Sequence, residues 1–131
     1  MHTVLLADAA VSVRDVVKAL LDREDLVFVE VDNATDAIVA IEEERPSLVF
    51  LDFDLPPFGA LEVLDRIRAT DDVPVVILAL REHALEARTF FGRGADEILL
   101  KPIDAWRLVT AAVAVLGSEG TEPAARAARH A

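Results

Sequence analysis

Two aspartates and a lysine in this chain each stand at the end of an apolar run that is typical of a buried β-strand. Asp8, Asp52 and Lys101 follow directly on three such runs. Desolvating a carboxylate at the end of a buried strand is costly, so its presence there indicates a chemical role. If the strands are parallel, their carboxyl ends meet at one edge of the sheet. Two acids and a lysine gathered at that edge indicate a site that handles phosphoryl groups or other anions.

The chemistry of such a site depends on an acceptor, a metal and a cation. An aspartate at a strand end can attack a phosphoryl group and form an acyl phosphate. Charge neutralisation for this transfer usually comes from oxygen-ligated Mg²⁺ and a lysine. The pattern predicts Asp52 as the acceptor, Asp8 as a metal ligand and Lys101 as the fixed cation. Structural interpretations stand beside these: a turn residue at Asp52, an N-cap of the first helix at Asp8 and a solvated strand end at Lys101.

Strand-like and helix-like segments alternate along the chain. The predicted strands are residues 3–7, 26–31, 48–51, 73–78 and 97–100. Apolar residues at helical spacing separate the strands; Asn33 is a candidate N-cap of the second helix, and the fourth helix is expected at about 82–91. Five near-continuous apolar strands alternating with five helices predict an α/β fold, with a doubly wound parallel sheet covered on both faces. Ligands of such sheets bind outside the carboxyl ends of the strands, where the two acids and the lysine fall.

Length, charge and composition limit the classes of function that this chain can have. The 131 residues suit one domain, predicted at 1–117, with a flexible tail or linker stub at 118–131. Cysteine is absent, no signal peptide is apparent, and the longest uncharged apolar run, 73–80, is too short to span a membrane. The net charge of −11 opposes binding to nucleic acid and to anionic lipid. We therefore expect a cytoplasmic protein that contacts neither.

Beyond these patterns, the chain resembles bacterial response-regulator receiver domains of the chemotaxis-regulator type over residues 3 to about 116. The resemblance is carried by residues 4–8, 46–52 with Pro56, 73–78 and 94–102, of which Gly-Ala-Asp…Lys-Pro with an upstream acceptor Asp is the most specific. It implies a flavodoxin-like sheet of order 2-1-3-4-5 and a cis bond between Lys101 and Pro102. It also implies phosphorylation of Asp52 by a sensor histidine kinase or phosphotransfer protein, in a domain that is not an enzyme.

Three positions depart from the family's pattern. The family usually has an acidic pair after the first strand, but here Ala9 occupies the position of the direct metal ligand. The hydroxyl residue that normally ends the fourth strand is replaced by Ala79, which has no hydrogen-bond donor. The aromatic residue expected on the fifth strand is replaced by Ile98, a β-branched residue with a stiff χ1. The resemblance is therefore to an atypical receiver with degenerate metal and switch positions.

Two interpretations of this pattern stay open, and a third comes from a different class. In the first, Asp52 is phosphorylated and weakly bound Mg²⁺ is held by Asp8, Asp52 and the backbone carbonyl of Asp54. In the second, the fold serves as a protein interaction module that needs no phosphate. In the third, the chain is a phosphatase of the haloacid-dehalogenase type. Asp52-Phe53-Asp54 resembles the Asp-x-Asp signature of those enzymes, and Lys101 would serve as their lysine. Those enzymes place the motif after the first strand and have a hydroxyl where Ala79 stands.

The single tryptophan, Trp106, comes early in the last helix, where the family usually has a polar residue. Trp106 either packs against the fourth helix or anchors a contact on the face formed by the fourth helix, fifth strand and fifth helix. Aromatic anchors are typical of interface centres, so this face is a candidate for a downstream partner or for self-association. Of Phe90 and Phe91, one or both are expected in the core, and a share in this interaction surface is the alternative. His83 is expected near the site but solvated.

Overall fold

A computed structural model describes residues 1–117 and shows a five-stranded parallel sheet of order β2-β1-β3-β4-β5. The strands are β1 (His2–Ala7), β2 (Leu26–Val31), β3 (Leu48–Asp52), β4 (Val75–Leu80) and β5 (Glu97–Lys101). The helices are α1 (Val11–Leu20), α2 (Ala34–Glu44), α3 (Ala60–Thr70), α4 (Ala84–Arg88) and α5 (Ala105–Leu116). Both the flavodoxin-like strand order and the helix count are confirmed. The tail predicted at 118–131 lies outside the described residues.

Two apolar layers, one on each face of the sheet, hold the fold together. In one layer, residues of α2 and α3 together with Phe90 pack against the sheet, and in the other, residues of α1 and α5 pack against the opposite face. All five residues of β3 are buried, as expected for a strand covered on both faces. Asn33 caps α2 as predicted, because its side chain accepts a hydrogen bond from the backbone N–H of Asp36 at 2.8 Å. No helix among residues 1–117 is long and apolar enough to cross a membrane.

The fourth helix is much shorter than the predicted 82–91. Within the predicted range, only the five residues of α4 are α-helical. A 3₁₀ segment precedes them at Arg81–His83, and another follows at Thr89–Arg93. Thr89 Oγ1 donates a hydrogen bond to the carbonyl of Glu86 at 2.6 Å. A hydroxyl bonded to the preceding turn competes with the α-helical ladder, and 3₁₀ turns are frequent at helix ends. The sequence prediction of one continuous helix was therefore wrong.

The boundaries of β4 also differ from the prediction. The strand begins at Val75, after Pro74, which has no N–H to donate to a ladder. It continues to Leu80, which pairs with Lys101 of β5. Ala79 therefore lies within the strand and not at its last residue, although it remains at the carboxyl edge of the sheet.

Candidate functional site

Three strand ends bring the predicted site residues together. Asp8 directly follows β1, Asp52 is the last residue of β3 and Lys101 is the last residue of β5. The Nζ atom of Lys101 lies 2.9 Å from Oδ2 of Asp8 and 3.2 Å from Oδ1 of Asp52. Asp8 is 2% exposed and Asp52 is 7% exposed. The long side chain of Lys101 thus reaches past β4 to pair with two buried carboxylates.

The electrostatics of this acidic pocket, formed by Asp8, Asp52 and Lys101, follow from burial and close charges. Burial raises the pKa of Asp52, the neighbouring Asp8 raises it further, and Lys101 partly offsets both effects. Burial opposes the charged form of Lys101, but its contacts with Asp8 and Asp52 outweigh burial, so the pKa of Lys101 lies above its ordinary value. Lys101 is consequently held as an ammonium ion beside the acceptor candidate.

Asp8 does not cap α1. The N-cap of α1 is Ala10, and no side chain makes a cap hydrogen bond there. Instead, Oδ1 of Asp8 accepts a hydrogen bond from the backbone N–H of Ala10 at 2.9 Å, and Arg14 donates to the backbone carbonyl of Asp8. The structural interpretation of Asp8 as an N-cap is therefore wrong, and its side chain is turned into the pocket.

The oxygen atoms of the pocket fit a hard cation such as Mg²⁺, which prefers carboxylate and carbonyl ligands. Oδ2 of Asp8 is buried and makes no hydrogen bond, only the ion pair with Lys101. Within residues 1–117, no group of three or more acidic, histidine or cysteine side chains is arranged so that it could hold a metal ion. Ala9 is exposed, and its side chain offers no ligand atom. The side-chain oxygen donors of the acidic pocket thus come from two carboxylates, Asp8 and Asp52.

A histidine that the sequence analysis expected in solvent lies against the acceptor loop. Asp54 donates its backbone N–H to Oδ1 of Asp52 at 3.3 Å, and Oδ2 of Asp54 lies 3.3 Å from Nδ1 of His83. The ring of His83 stacks on Phe53 with centroids 4.8 Å apart, and Phe53 in turn packs against buried Phe90 at 5.4 Å. The contact ties the 3₁₀ segment after β4 to the end of β3.

Sequence reasoning missed the place of His83 because the signal is weak. A 3₁₀ segment of three residues has no periodicity that would show which way each side chain faces. Phe53, directly after Asp52, was the one available clue, since a partly buried aromatic ring needs a packing partner.

The two predicted switch positions carry no polar side chain. Ala79 is fully buried, and Ile98 is half-buried against the layer built from α2 and α3. Neither side chain can donate a hydrogen bond to a group on Asp52. The bond between Lys101 and Pro102 is cis, as the resemblance implied.

Trp106 does not pack against α4: it lies on α5 and is 77% exposed. The packing interpretation of Trp106 is therefore wrong, and its exposure is compatible with an interaction surface. The two neighbouring phenylalanines differ in exposure: Phe90 is buried, whereas Phe91 is 46% exposed. Leu85 of α4 is also exposed.

The sequence is similar to a known protein family and to curated regulatory proteins. A family model described as "Response regulator receiver domain" matches residues 4–113. The DNA-binding response regulator MtrA of Mycolicibacterium paratuberculosis is 30% identical over 121 residues, which are 92% of this chain and 54% of that protein. The transcriptional regulatory protein AfsQ1 of Streptomyces coelicolor is 29% identical over 103 residues, which are 79% of this chain and 46% of that protein. The chain thus spans about half the length of these curated relatives.

Solved structures show the same fold. The signal receiver domain of a LuxO repressor protein from Vibrio parahaemolyticus superposes with a TM-score of 0.78 at 32% identity, covering 86% of this chain and 87% of that one. The receiver domain of NtrX from Brucella abortus superposes with a TM-score of 0.79 at 31% identity, covering 88% of this chain and 99% of that one. Both similarities extend over nearly the whole described part of the chain.

Proposed function

The chain belongs to the response regulator receiver domain family of two-component signalling, and from that premise we propose that Asp52 accepts a phosphoryl group from a sensor histidine kinase or phosphotransfer protein. A cytoplasmic location is part of the same proposal. The observation that carries it is the contact of Lys101 Nζ with both Asp8 and Asp52. This arrangement keeps a cation at the place where negative charge develops during transfer. Family members are typically signalling modules and not enzymes.

In the proposed transfer, a carboxylate oxygen of Asp52 attacks phosphorus as the bond to the donor nitrogen breaks. The electron pair of that bond stays on the donor nitrogen, and the product is an acyl phosphate on Asp52. Lys101 and the N–H of Asp54 both contact Oδ1, which leaves Oδ2 for the attack. Lys101 then stabilises the charge on the transferred oxygens, the main demand of phosphoryl transfer.

The residues that would hold Mg²⁺ in this proposal are Asp8, Asp52 and the backbone carbonyl of Asp54. When bound, the ion shares the negative charge of the phosphoryl oxygens with Lys101. With Ala9 offering no ligand, we propose that binding is weak. The burial of the two carboxylates side by side, with Lys101 as their shared counter-charge, supports this assignment.

The acceptor is tested by intact mass after incubation with acetyl phosphate and Mg²⁺. We predict that the protein gains the mass of one phosphoryl group and that Asp52→Asn does not, because the amide is not a nucleophile. Asp54→Asn is the matched control: it removes a neighbouring acid, and it should still form the adduct. An adduct that persists in Asp52→Asn would show that another residue is the acceptor.

A second candidate function is a phosphate-independent interaction module, and a specific observation favours it. Ala79 and Ile98 lack the groups that would respond to phosphorylation, while Trp106 is exposed on the face formed by α4, β5 and α5. We propose this face as the contact for a downstream protein or for a second copy. Absence of any adduct on Asp52 would favour this candidate. The family match over residues 4–113 disfavours the phosphatase interpretation.

We predict that the usual hydroxyl-and-aromatic switch does not operate. A ligand shifts a conformational equilibrium only through different contacts in the two states, and Ala79 gives a phosphoryl group no such contact. Beryllofluoride with Mg²⁺ should therefore shift amide resonances near Asp8, Asp52 and Asp54, but not as far as Trp106. The double variant Ala79→Thr with Ile98→Tyr should extend the shifts toward Trp106. Large shifts reaching Trp106 in the unmodified chain would contradict the prediction.

A further inference from the structure

A groove of about 280 Å³ opens on the surface between α2 and α3. Its floor is apolar: Ile41 of α2 and Ile67 of α3 are 5% and 3% exposed, and Ile38 is half-buried beside them. Because α2 ends shortly before β3 begins and α3 shortly before β4 begins, their last turns lie near the edge where the strands start. The α2–α3 groove is therefore remote from the acidic pocket at the opposite edge of the sheet.

The two walls of the α2–α3 groove carry opposite charges. Glu42 stands on the α2 side and Arg66 on the α3 side, and both are exposed. Among the described residues, Glu42 forms no ion pair, and Arg66 makes one contact, at 3.6 Å with exposed Glu62. Exposed pairs one helical turn apart contribute little to stability. Both side chains can therefore turn to a partner of opposite charge without a large loss.

Opposite charges on facing walls make the α2–α3 groove complementary to itself. A two-fold axis through the middle of the groove places each wall of one copy against the opposite wall of a second copy. α2 of one copy then runs along α3 of the other, and Glu42 meets Arg66 of the second copy twice. The apolar floors face each other between these two ion pairs. Ala69 and Thr70, which line the groove on α3, are small enough to let the helices approach closely.

The surface next to the groove adds apolar area to such a contact. Val39 lies one turn before Glu42 on α2 and is 45% exposed. An apolar centre between charged residues at the rim is the usual arrangement of a protein interface. DNA and anionic membranes are opposed by the net charge of −11. A second copy supplies both of the required charges and the apolar floor from the same residues.

We propose that the α2–α3 groove is a self-association surface, on which a second copy of this chain docks about a two-fold axis. The inference does not depend on phosphorylation of Asp52, and it concerns a different surface from the one that exposes Trp106. Both acidic pockets remain open in this dimer, because they lie at the other edge of each sheet. The net charge of −11 on each copy opposes association at long range. The dimer is therefore weak and depends on the matched pairs of Glu42 and Arg66.

Sedimentation velocity of the full chain, over a concentration series that reaches the millimolar range, tests this proposal. We predict a dimer that grows with concentration in the absence of any phosphodonor. Glu42→Arg should weaken association by about tenfold, because symmetry turns two attractive pairs into two repulsive ones. Arg66→Glu should have a similar effect. The double variant Glu42→Arg with Arg66→Glu should recover the dimer, since the same pairs form with their charges exchanged.

Glu43→Arg is the matched control. It changes the net charge of the chain as Glu42→Arg does, but at an exposed position one residue further along α2 that does not line the groove. It lowers the long-range repulsion equally, so it should associate at least as well as the unmodified chain. Urea unfolding of every variant shows that the fold is retained, so a loss of association is not a loss of structure.

Several outcomes would overturn the proposal. A chain that stays monomeric at every concentration would remove the self-association surface. Equal effects of Glu42→Arg and Glu43→Arg, or a folded double variant that does not recover the dimer, would remove the role of the matched pairs. A dimer lost in Trp106→Ala but kept in Glu42→Arg would assign self-association to the face formed by α4, β5 and α5. Species larger than a dimer would contradict the closed two-fold arrangement.

Discussion

Replacing Lys101 with alanine should lower phosphorylation of Asp52 by on the order of a hundredfold, the cost of losing one preorganised charge-stabilising group. The substitution should also lower the free energy of unfolding by about 2–3 kcal/mol at neutral pH. This is somewhat less than the cost of removing one partner from a fully buried ion pair, because Lys101 is partly exposed. The reason is that Lys101 is the cation within 4 Å of both buried carboxylates. Without it, Asp8 and Asp52 face each other with no compensating charge. Initial rates of adduct formation and urea unfolding at pH 7 measure the two effects.

The pH dependence of this loss has a definite sign. Burial and Asp8 already raise the pKa of Asp52 above its ordinary value of 3.8, and removing Lys101 raises that pKa further. A carboxyl whose pKa is raised on folding contributes stability that is complete below the unfolded pKa and is lost as pH rises through the folded pKa. The destabilisation by Lys101→Ala should therefore be largest at neutral pH and shrink as pH falls toward the ordinary carboxyl pKa.

Lys18→Ala is the matched control for this prediction. Lys18 also contacts two acids, Asp15 and Glu30, but on the surface of α1 and β2. Exposed ion pairs contribute little to stability because solvent screens them, so the loss of Lys18 should cost little stability and should not affect phosphorylation. A Lys101→Ala variant as stable as Lys18→Ala, with an unchanged carboxyl titration by NMR, would count against an ion-paired pocket.

The site could be predicted from the sequence because it depends on strand ends. A buried strand is a continuous apolar run, and a charged residue that closes it marks the edge of the sheet. Parallel strands then bring Asp8, Asp52 and Lys101 to the same edge, whatever their separation in the chain. The structure brings all three together within ion-pair distance.

The features that could not be predicted depend on contacts between distant, short elements. The fourth helix is broken up next to the hydrogen bond that the Thr89 hydroxyl donates to the carbonyl of Glu86, and this bond leaves no trace in the apolar pattern. The stacking of His83 on Phe53 joins two loops and leaves no periodicity. The exposure of Trp106 was undecided from sequence, because an aromatic residue at the start of a helix fits both packing and solvent.

The last prediction concerns Ala9, which stands beside the pocket and offers no ligand. Ala9→Asp should tighten Mg²⁺ binding by roughly tenfold, because a third carboxylate adds both charge and an oxygen ligand. Titration followed by amide resonances near Asp52 measures this affinity without depending on phosphorylation. The matched control is Ala10→Asp, which adds the same charge one residue further along, at the N-cap of α1.

The control distinguishes ligation from a general electrostatic effect. An added carboxylate that only increases the negative charge acts at both positions to a similar extent and weakens with salt. Metal ligation is expected from position 9 alone, because coordination depends on where the carboxylate stands and a general charge effect does not. Equal tightening in both variants would assign the gain to charge, and unchanged affinity in Ala9→Asp would show that Ala9 does not occupy the metal-ligand position.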